Sequence, residues 1–173
     1  MDTAGTVNER RVGPMQWIMP LAWCAVTAII VASGLNVELA GGPTAAGFGY
    51  VFLVAGYGAA FKQGLALYSI AAAVLGLGFM LVPRMTAGKI NKGLAWSTLA
   101  LMAIGGLLML VAPQVLVAMA GSPDDAAYGV ARSWAVTWME AGSRVSISGA
   151  AMGLATFGEA FWSRWSHSPA SSS

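Results

Sequence analysis

Long uncharged apolar runs alternate with short polar stretches along this chain. Residues 64–82 and 93–111 contain no charged side chain, and each run approaches the roughly 20 residues that a helix needs to cross about 30 Å of hydrocarbon. The connection between them carries three basic residues, Arg84, Lys89 and Lys92, and no acid. This pattern predicts two membrane-spanning helices joined by a tight basic turn.

Two further runs predict spans near the start and the end of the chain. Residues 15–37 follow Arg10 and Arg11, and this run is longer than the apolar core of a typical signal peptide. A retained first span is therefore expected, with a cleaved signal peptide as the alternative. Residues 145–161 form the last predicted span, which is the most polar of the four.

Two prolines set the expected ends of the central spans. A proline inside a helix removes a backbone hydrogen bond, and its ring clashes with the preceding turn. Pro83 therefore predicts the end of the second span. Pro113 predicts the end of the third span and allows residues 114–119 to extend it only after a kink.

Two segments predict helices that lie on the membrane surface. Residues 47–62 combine aromatic side chains at helical spacing with several glycines, and we expect the spanning helix to begin after them, near Gln63. The alternative is one long, tilted second span with Lys62 in the hydrocarbon, at a cost of roughly 3 kcal/mol. In a helix over residues 126–140, the apolar side chains would lie on one face and the polar side chains on the other. This pattern predicts a second interfacial helix.

Composition agrees with an all-α polytopic membrane protein of four transmembrane helices plus two interfacial amphipathic helices. Of 173 residues, 57% are hydrophobic and only 9% are charged, against about 25% charged in soluble domains. No basic patch with interleaved aromatics is present, so nucleic acid is not an expected partner. The expected organisation is a cytoplasmic segment 1–14, a four-helix membrane domain 15–165 and a disordered tail 166–173.

The positive charges predict the orientation of the spans. Cytoplasmic loops carry an excess of lysine and arginine. An inside N-terminus places six of the nine basic residues on one side, namely Arg10, Arg11, Arg84, Lys89, Lys92 and Arg164. Both termini are therefore expected to be cytoplasmic, in a bacterial inner (plasma) membrane.

The chain offers few side chains for catalysis or metal binding. His167 is the single histidine and lies in the predicted tail, so one chain cannot supply a bis-histidine haem site or a Ser-His-Asp triad. Cys24 is the single cysteine and is expected to be a small buried residue within its apolar run. No catalytic, metal-binding or cofactor-binding residue is predicted.

The last span carries the residues with expected roles. Ser146, Gly149 and Gly153 form a face of small residues, which predicts close packing against another helix. Glu159 is the one candidate for a functional charge within the membrane. We expect its carboxylate to reach the nearby surface or to pair with a base, and a proton-handling or intersubunit role is the alternative.

The second and third spans also resemble part of a known family. The stretch GLGFMLVPRMTAGKINKGLAWSTLALMAIGG, residues 76–106, is similar to the end of helix II, the cytoplasmic turn and the start of helix III in subunit I of haem-copper (cytochrome c) oxidases. The resemblance implies that this chain corresponds to the N-terminal four-helix portion of that family. Helix II of the family carries a haem-ligand histidine, whereas this chain reads AAFKQGLALYS, so no functional residue can be carried over.

These features predict a non-catalytic component of a membrane complex. The resemblance implies a degenerate relative of oxidase subunit I, acting as a subunit or as an assembly or regulatory component of a respiratory or other bioenergetic complex. The alternatives are a haem-binding electron-transfer subunit that uses partner ligands and a small oligomeric transporter. Expected partners are the lipid bilayer and other membrane subunits or further copies of the chain, and no cofactor is expected.

Overall fold

Helices account for all regular structure in the described part of the chain. The computed structural model describes residues 15–40, 57–86, 90–119 and 126–166. The elements are α1 (Met15–Ala40), α2 (Tyr57–Met85), α3 (Lys92–Gly106), a π-helical segment (Leu107–Val111), α4 (Ala112–Met119) and α5 (Ala126–Trp165). The predicted all-α class is confirmed for these residues. The predictions for residues 1–14, 41–56 and 167–173 lie outside them.

Three helical stretches are long and apolar enough to cross a membrane. They are Ile18–Leu35 in α1, Phe61–Met85 in α2, and Lys92–Leu116, which runs from α3 through the π-helical segment into α4. Each stretch keeps large apolar side chains on its outer surface, where lipid tails are a suitable solvent. These features are consistent with the predicted integral membrane protein.

Helix α2 begins earlier and ends later than the sequence suggests. It is continuous from Tyr57, so the prediction of a new helix near Gln63 is wrong, and Lys62 lies inside the apolar stretch. The Lys62 side chain is exposed near the helix start, where its long stem can carry the ammonium group to the membrane surface. At the other end the helix continues through Pro83 to Met85, although Pro83 has no N–H to donate to the preceding turn.

The third helix passes through Pro113 rather than ending there. In the π-helical segment before it, the Ala112 N–H donates to the Leu107 carbonyl, five residues earlier. Such a wider turn inserts an extra residue into the helix and accommodates the interrupted bonding around a proline. The Gln114 side-chain amide donates to the Leu110 carbonyl in the same region. Residues 114–119 thus continue the helix as part of α4, an extension that the sequence had left open.

The predicted interfacial helix 126–140 and the predicted fourth span form one helix. α5 is 40 residues long, so the interruption expected between residues 140 and 145 is wrong. Glu140 and Arg144 lie one turn apart in this stretch and form an exposed ion pair at 3.9 Å, a spacing that suits an unbroken helix. Among the described helices, α5 is not one of those apolar enough to qualify as a span by length and hydropathy.

The long helices pack side by side in alternating directions. α1 and α2 are antiparallel, because Trp23 lies against Gly76 while Gly34, further along α1, lies against Leu65, earlier in α2. α3 and α5 are also antiparallel, since contacts move backward along α3 as they move forward along α5. α2 and α5 run in the same direction. α1 and α5 each pack against both α2 and α3.

Trp23 joins α1 to α2 in the core. Its side chain is only 1% exposed, and its indole N–H donates to the Ala72 carbonyl at 2.8 Å. The indole ring also packs on Phe79, with ring centroids 5.2 Å apart. A buried indole N–H needs such a partner because no water replaces it in an apolar interior. Trp23 thus fixes the position of α1 along the axis of α2.

The role of Trp23 can be tested with two substitutions. Trp23→Phe keeps an aromatic ring and loses the hydrogen bond, so we expect a loss of about 1 kcal/mol of stability. Trp23→Ala also leaves a cavity, with an expected loss of about 3 kcal/mol. Thermal unfolding in detergent measures both changes. The matched control Trp162→Ala removes an indole that is 73% exposed and should have little effect; equal losses at both positions would contradict the anchoring role.

Candidate functional site

Helices α3 and α5 approach so closely that their backbones touch. A Cβ atom placed on Gly142 would lie 2.5 Å from the Met109 amide nitrogen and 2.6 Å from the Gly105 carbonyl oxygen. A Cβ atom on Gly105 would in turn lie 2.6 Å from the Ser146 amide nitrogen. Backbone atoms cannot move aside as a flexible side chain can, so this crossing point requires glycine on both helices.

The three small residues predicted for packing lie along the same contact. Gly149 faces α3, where an added Cβ would lie 3.1 Å from both Leu101 Cβ and Met102 Cγ. Gly153 lies between α2 and α3. A Cβ atom added to Gly153 would lie 2.5 Å from Leu75 Cδ2 and 3.0 Å from Thr98 Cγ2. Ser146 lies between this pair and the Gly105–Gly142 crossing. Together they form a small-residue seam, which we define as Gly142, Ser146, Gly149 and Gly153.

Sequence reasoning missed the tightest point of this seam. Gly142 precedes Ser146 by four residues, so it continues the helical spacing of Ser146, Gly149 and Gly153. That spacing could have identified Gly142, had a helix break not been expected there. Its counterpart Gly105 lies beside Gly106 in an apolar run, and no local signal says which of the two meets α5.

Cys24 and Glu159 both face outward. The buried face of α1 includes Trp23 and Ile30, and Cys24 lies off that face, so its predicted burial is wrong. Glu159 is exposed near the end of α5, beside Gly158, whose added Cβ would meet no heavy atom within 4 Å. The candidate intramembrane charge is therefore separate from the small-residue seam.

A lateral cavity of about 250 Å³ lies between α2, α5 and the third helix with its π-helical segment. Leu67 of α2 and Ile147 of α5 stand at its edge, since they line it and are 59% and 66% exposed. The inner wall is formed by buried side chains, among them Tyr68, Met102, Met109 and Ser146. The cavity is thus open toward the side of the bundle, where lipid would lie.

The two buried hydroxyl groups of this wall differ in their hydrogen bonding. The Tyr68 hydroxyl donates to the Met102 carbonyl at 3.0 Å and is therefore engaged within the protein. Ser146 is 8% exposed, and its Oγ has no hydrogen-bond partner among the described residues. An unpaired buried hydroxyl costs about 1–3 kcal/mol, and here the close approach of α5 to Gly105 encloses it.

Other buried hydroxyls show that Ser146 is exceptional in the described structure. Each donates at 2.7–2.8 Å to the carbonyl four residues earlier in the chain. These residues are Thr27, Thr86, Thr98 and Thr156. A helical serine can make the same bond, but Ser146 does not, and its Oγ instead lies beside Gly105.

The cavity wall supplies shape and hydroxyl groups rather than reactive pairs. The residues that line it include no carboxylate, imidazole, amine or thiol. Among the described residues, no three His, Cys, Asp or Glu side chains are grouped so that they could hold a metal ion. The Tyr68 phenol is the titratable side chain on this wall.

The comparisons assign no family. The chain matches no protein-family model, no curated protein and no solved structure. The resemblance of residues 76–106 to oxidase subunit I thus rests on that sequence stretch. In the structure, the stretch covers the end of α2 and all of α3.

Substitution of the seam glycines tests the close contact. Gly142→Leu would force α3 and α5 apart, and overpacking of this kind typically costs about 1–3 kcal/mol. The matched control is Gly158→Leu on the same helix, which has open space around it and gains up to about 1 kcal/mol of helix propensity. Thermal unfolding in detergent should show opposite shifts. A similar shift for both variants would contradict the close contact.

Proposed function

We propose that this chain is a non-catalytic integral membrane component of a larger membrane complex, with a subunit, assembly or regulatory role. The observation that carries the proposal is the lateral cavity, whose wall offers apolar surface and hydroxyl groups but no pair of reactive side chains. A respiratory or other bioenergetic complex is the proposed setting. The support for that setting is the similarity of residues 76–106 to oxidase subunit I.

α5 is the proposed fourth span. Its small-residue seam runs from Met109 in the π-helical segment back to Thr98 in α3, and both belong to a stretch long and apolar enough to span. A helix that packs along such a span shares its depth in the bilayer. The low hydropathy of α5 is compatible with this role because helices associate in membranes through small residues that allow close packing.

The basic end of the bundle supports an inside location for both termini. Arg84 closes α2, Lys92 opens α3 and Arg164 closes α5, so these three cations belong to one end of the helix bundle. The Arg164 guanidinium also donates to the Met85 carbonyl, which joins α5 to the end of α2. Under the positive-inside rule this end is cytoplasmic, and the proposed membrane is a bacterial inner membrane.

Cysteine labelling tests the fourth span and the orientation together. In a Cys24→Ala background, single cysteines replace Gly93 at the basic end, Gly129 at the start of α5 and Ser166 after its end, all at exposed positions. A membrane-impermeant maleimide should label Gly129→Cys from outside and the other two only from inside. Labelling of Gly129→Cys and Ser166→Cys from one side would contradict a crossing by α5, and a full reversal would contradict the orientation.

Spectra and native gels test the non-catalytic role and the complex. His167 is the single histidine, so the chain purified from haem-replete cells should give no stoichiometric Soret or alpha band in reduced-minus-oxidised spectra. In the mildest detergent, the tagged chain should migrate on native gels with a larger assembly. A haem signal that survives His167→Ala would overturn the non-catalytic role, and migration of the chain alone under every condition would overturn the complex.

A further inference from the structure

We propose that the basic end of the bundle binds anionic phospholipid. The lipid phosphate lies at the cations Arg84, Lys92 and Arg164, and its acyl chains lie along Leu77 and Leu81 of α2. This goes beyond membership of a complex, because the binding needs only this chain and a lipid. It holds whichever side of the membrane the basic end faces, and it includes no bond-making step.

The three cations lie at one level of the bundle, although they come from three helices. Leu75, Thr98 and Gly153 meet at a common level, because a Cβ atom added to Gly153 would touch both of the other side chains. Counted from this level along its own helix at 1.5 Å per residue, each cation lies roughly 9 to 17 Å away, all in the same direction. The Arg164 guanidinium also donates to the Met85 carbonyl, which brings the ends of α5 and α2 together. The basic end therefore presents three positive charges at a similar depth.

This depth matches the depth of phospholipid headgroups. On α2, Lys62 and Arg84 are separated by about 33 Å at 1.5 Å per residue. On α5, Arg144 and Arg164 are separated by about 30 Å on the same count. The hydrocarbon core of a bilayer is about 30 Å thick. In both helices the cations thus stand at the two boundaries of such a core, where lipid phosphates lie.

Exposed aromatic and apolar side chains accompany the cations. Trp162 and Trp165, beside the last arginine of α5, are both exposed, and tryptophan is typical of the membrane interface. Leu81 and Leu77 precede Arg84 by three and seven residues, which places all three on one face of α2. Both leucines are exposed, so a headgroup held at Arg84 has apolar surface for its acyl chains. A soluble anion would gain nothing from that surface, which favours a lipid as the ligand.

The charge balance favours an anionic headgroup over a zwitterionic one. In the part of the chain that the structure describes, the acid nearest to the basic end is Glu159, about 8 Å deeper along α5 than Arg164. Three cations against one acid leave this end positive. A zwitterionic headgroup brings its own cation, whereas phosphatidylglycerol brings a phosphate alone, and arginine binds phosphate through paired N–H donors. At the opposite end Arg144 forms an ion pair with Glu140, so its positive charge is partly balanced within the chain.

Competition between two lipids tests the proposal. The full chain in detergent is mixed with equal amounts of phosphatidylglycerol and phosphatidylcholine that carry the same acyl chains, and native mass spectrometry counts the lipids that remain bound. We expect a preference for phosphatidylglycerol of about fivefold for each cation that contacts the phosphate. Arg84→Gln and Lys92→Gln should each lower the preference by about that factor. The matched controls Lys62→Gln and Arg144→Gln, at the opposite end, should keep it. The third arginine is left unchanged because it also joins α5 to α2.

The remaining outcomes contradict the proposal. Equal binding of the two lipids by the wild-type chain would overturn the anionic headgroup. A preference that survives the double variant Arg84→Gln/Lys92→Gln, or that the control variants lower equally, would overturn the basic end as the site. An excess of inorganic phosphate should leave the lipid bound, and its displacement would show that a soluble anion is the ligand. Thermal unfolding checks that each variant is folded. Because the isolated chain is used, a failure here would leave the proposed membership of a complex standing.

Discussion

The backbone contact between α3 and α5 is the constraint on which the rest of the arrangement depends. Helices in a bilayer gain little from burying apolar surface, because lipid is equally apolar, so they associate through close packing. Gly105 and Gly142 allow that packing, since an added Cβ on either residue would overlap the opposite backbone. Once this crossing is fixed, Gly149 and Gly153 fall against Met102 and Leu75, and α5 is drawn toward both α2 and α3.

The same contact accounts for the lateral cavity. α2 and α5 meet toward their C-terminal ends, where Phe79 and Phe157 pack with ring centroids 5.0 Å apart and Arg164 binds the Met85 carbonyl. Toward the π-helical segment, α5 instead lies against Met109, and the space between Leu67 and Ile147 remains open. Ser146 stands where the tight seam borders this space.

If α5 is the proposed fourth span, it illustrates why hydropathy alone undervalues a packed membrane helix. Its inward face is rich in glycine, serine, alanine and threonine, which are less apolar than leucine or isoleucine but permit close contact. Its charged side chains Glu140, Arg144 and Glu159 are exposed. Hydropathy measures the preference of a helix for lipid and does not measure its tendency to pack against a neighbouring helix.

The sequence by itself determined the helical class, the three apolar stretches and the small-residue positions Ser146, Gly149 and Gly153, because run length and residue spacing are local properties. Tertiary structure decided what local patterns leave open. It joined residues 126–165 into one helix, carried helices through Pro83 and Pro113, and turned Cys24 away from the core. It also placed Gly105 against Gly142 and left the Ser146 hydroxyl without a hydrogen bond. Both features depend on the distance between two helices that are far apart in the chain.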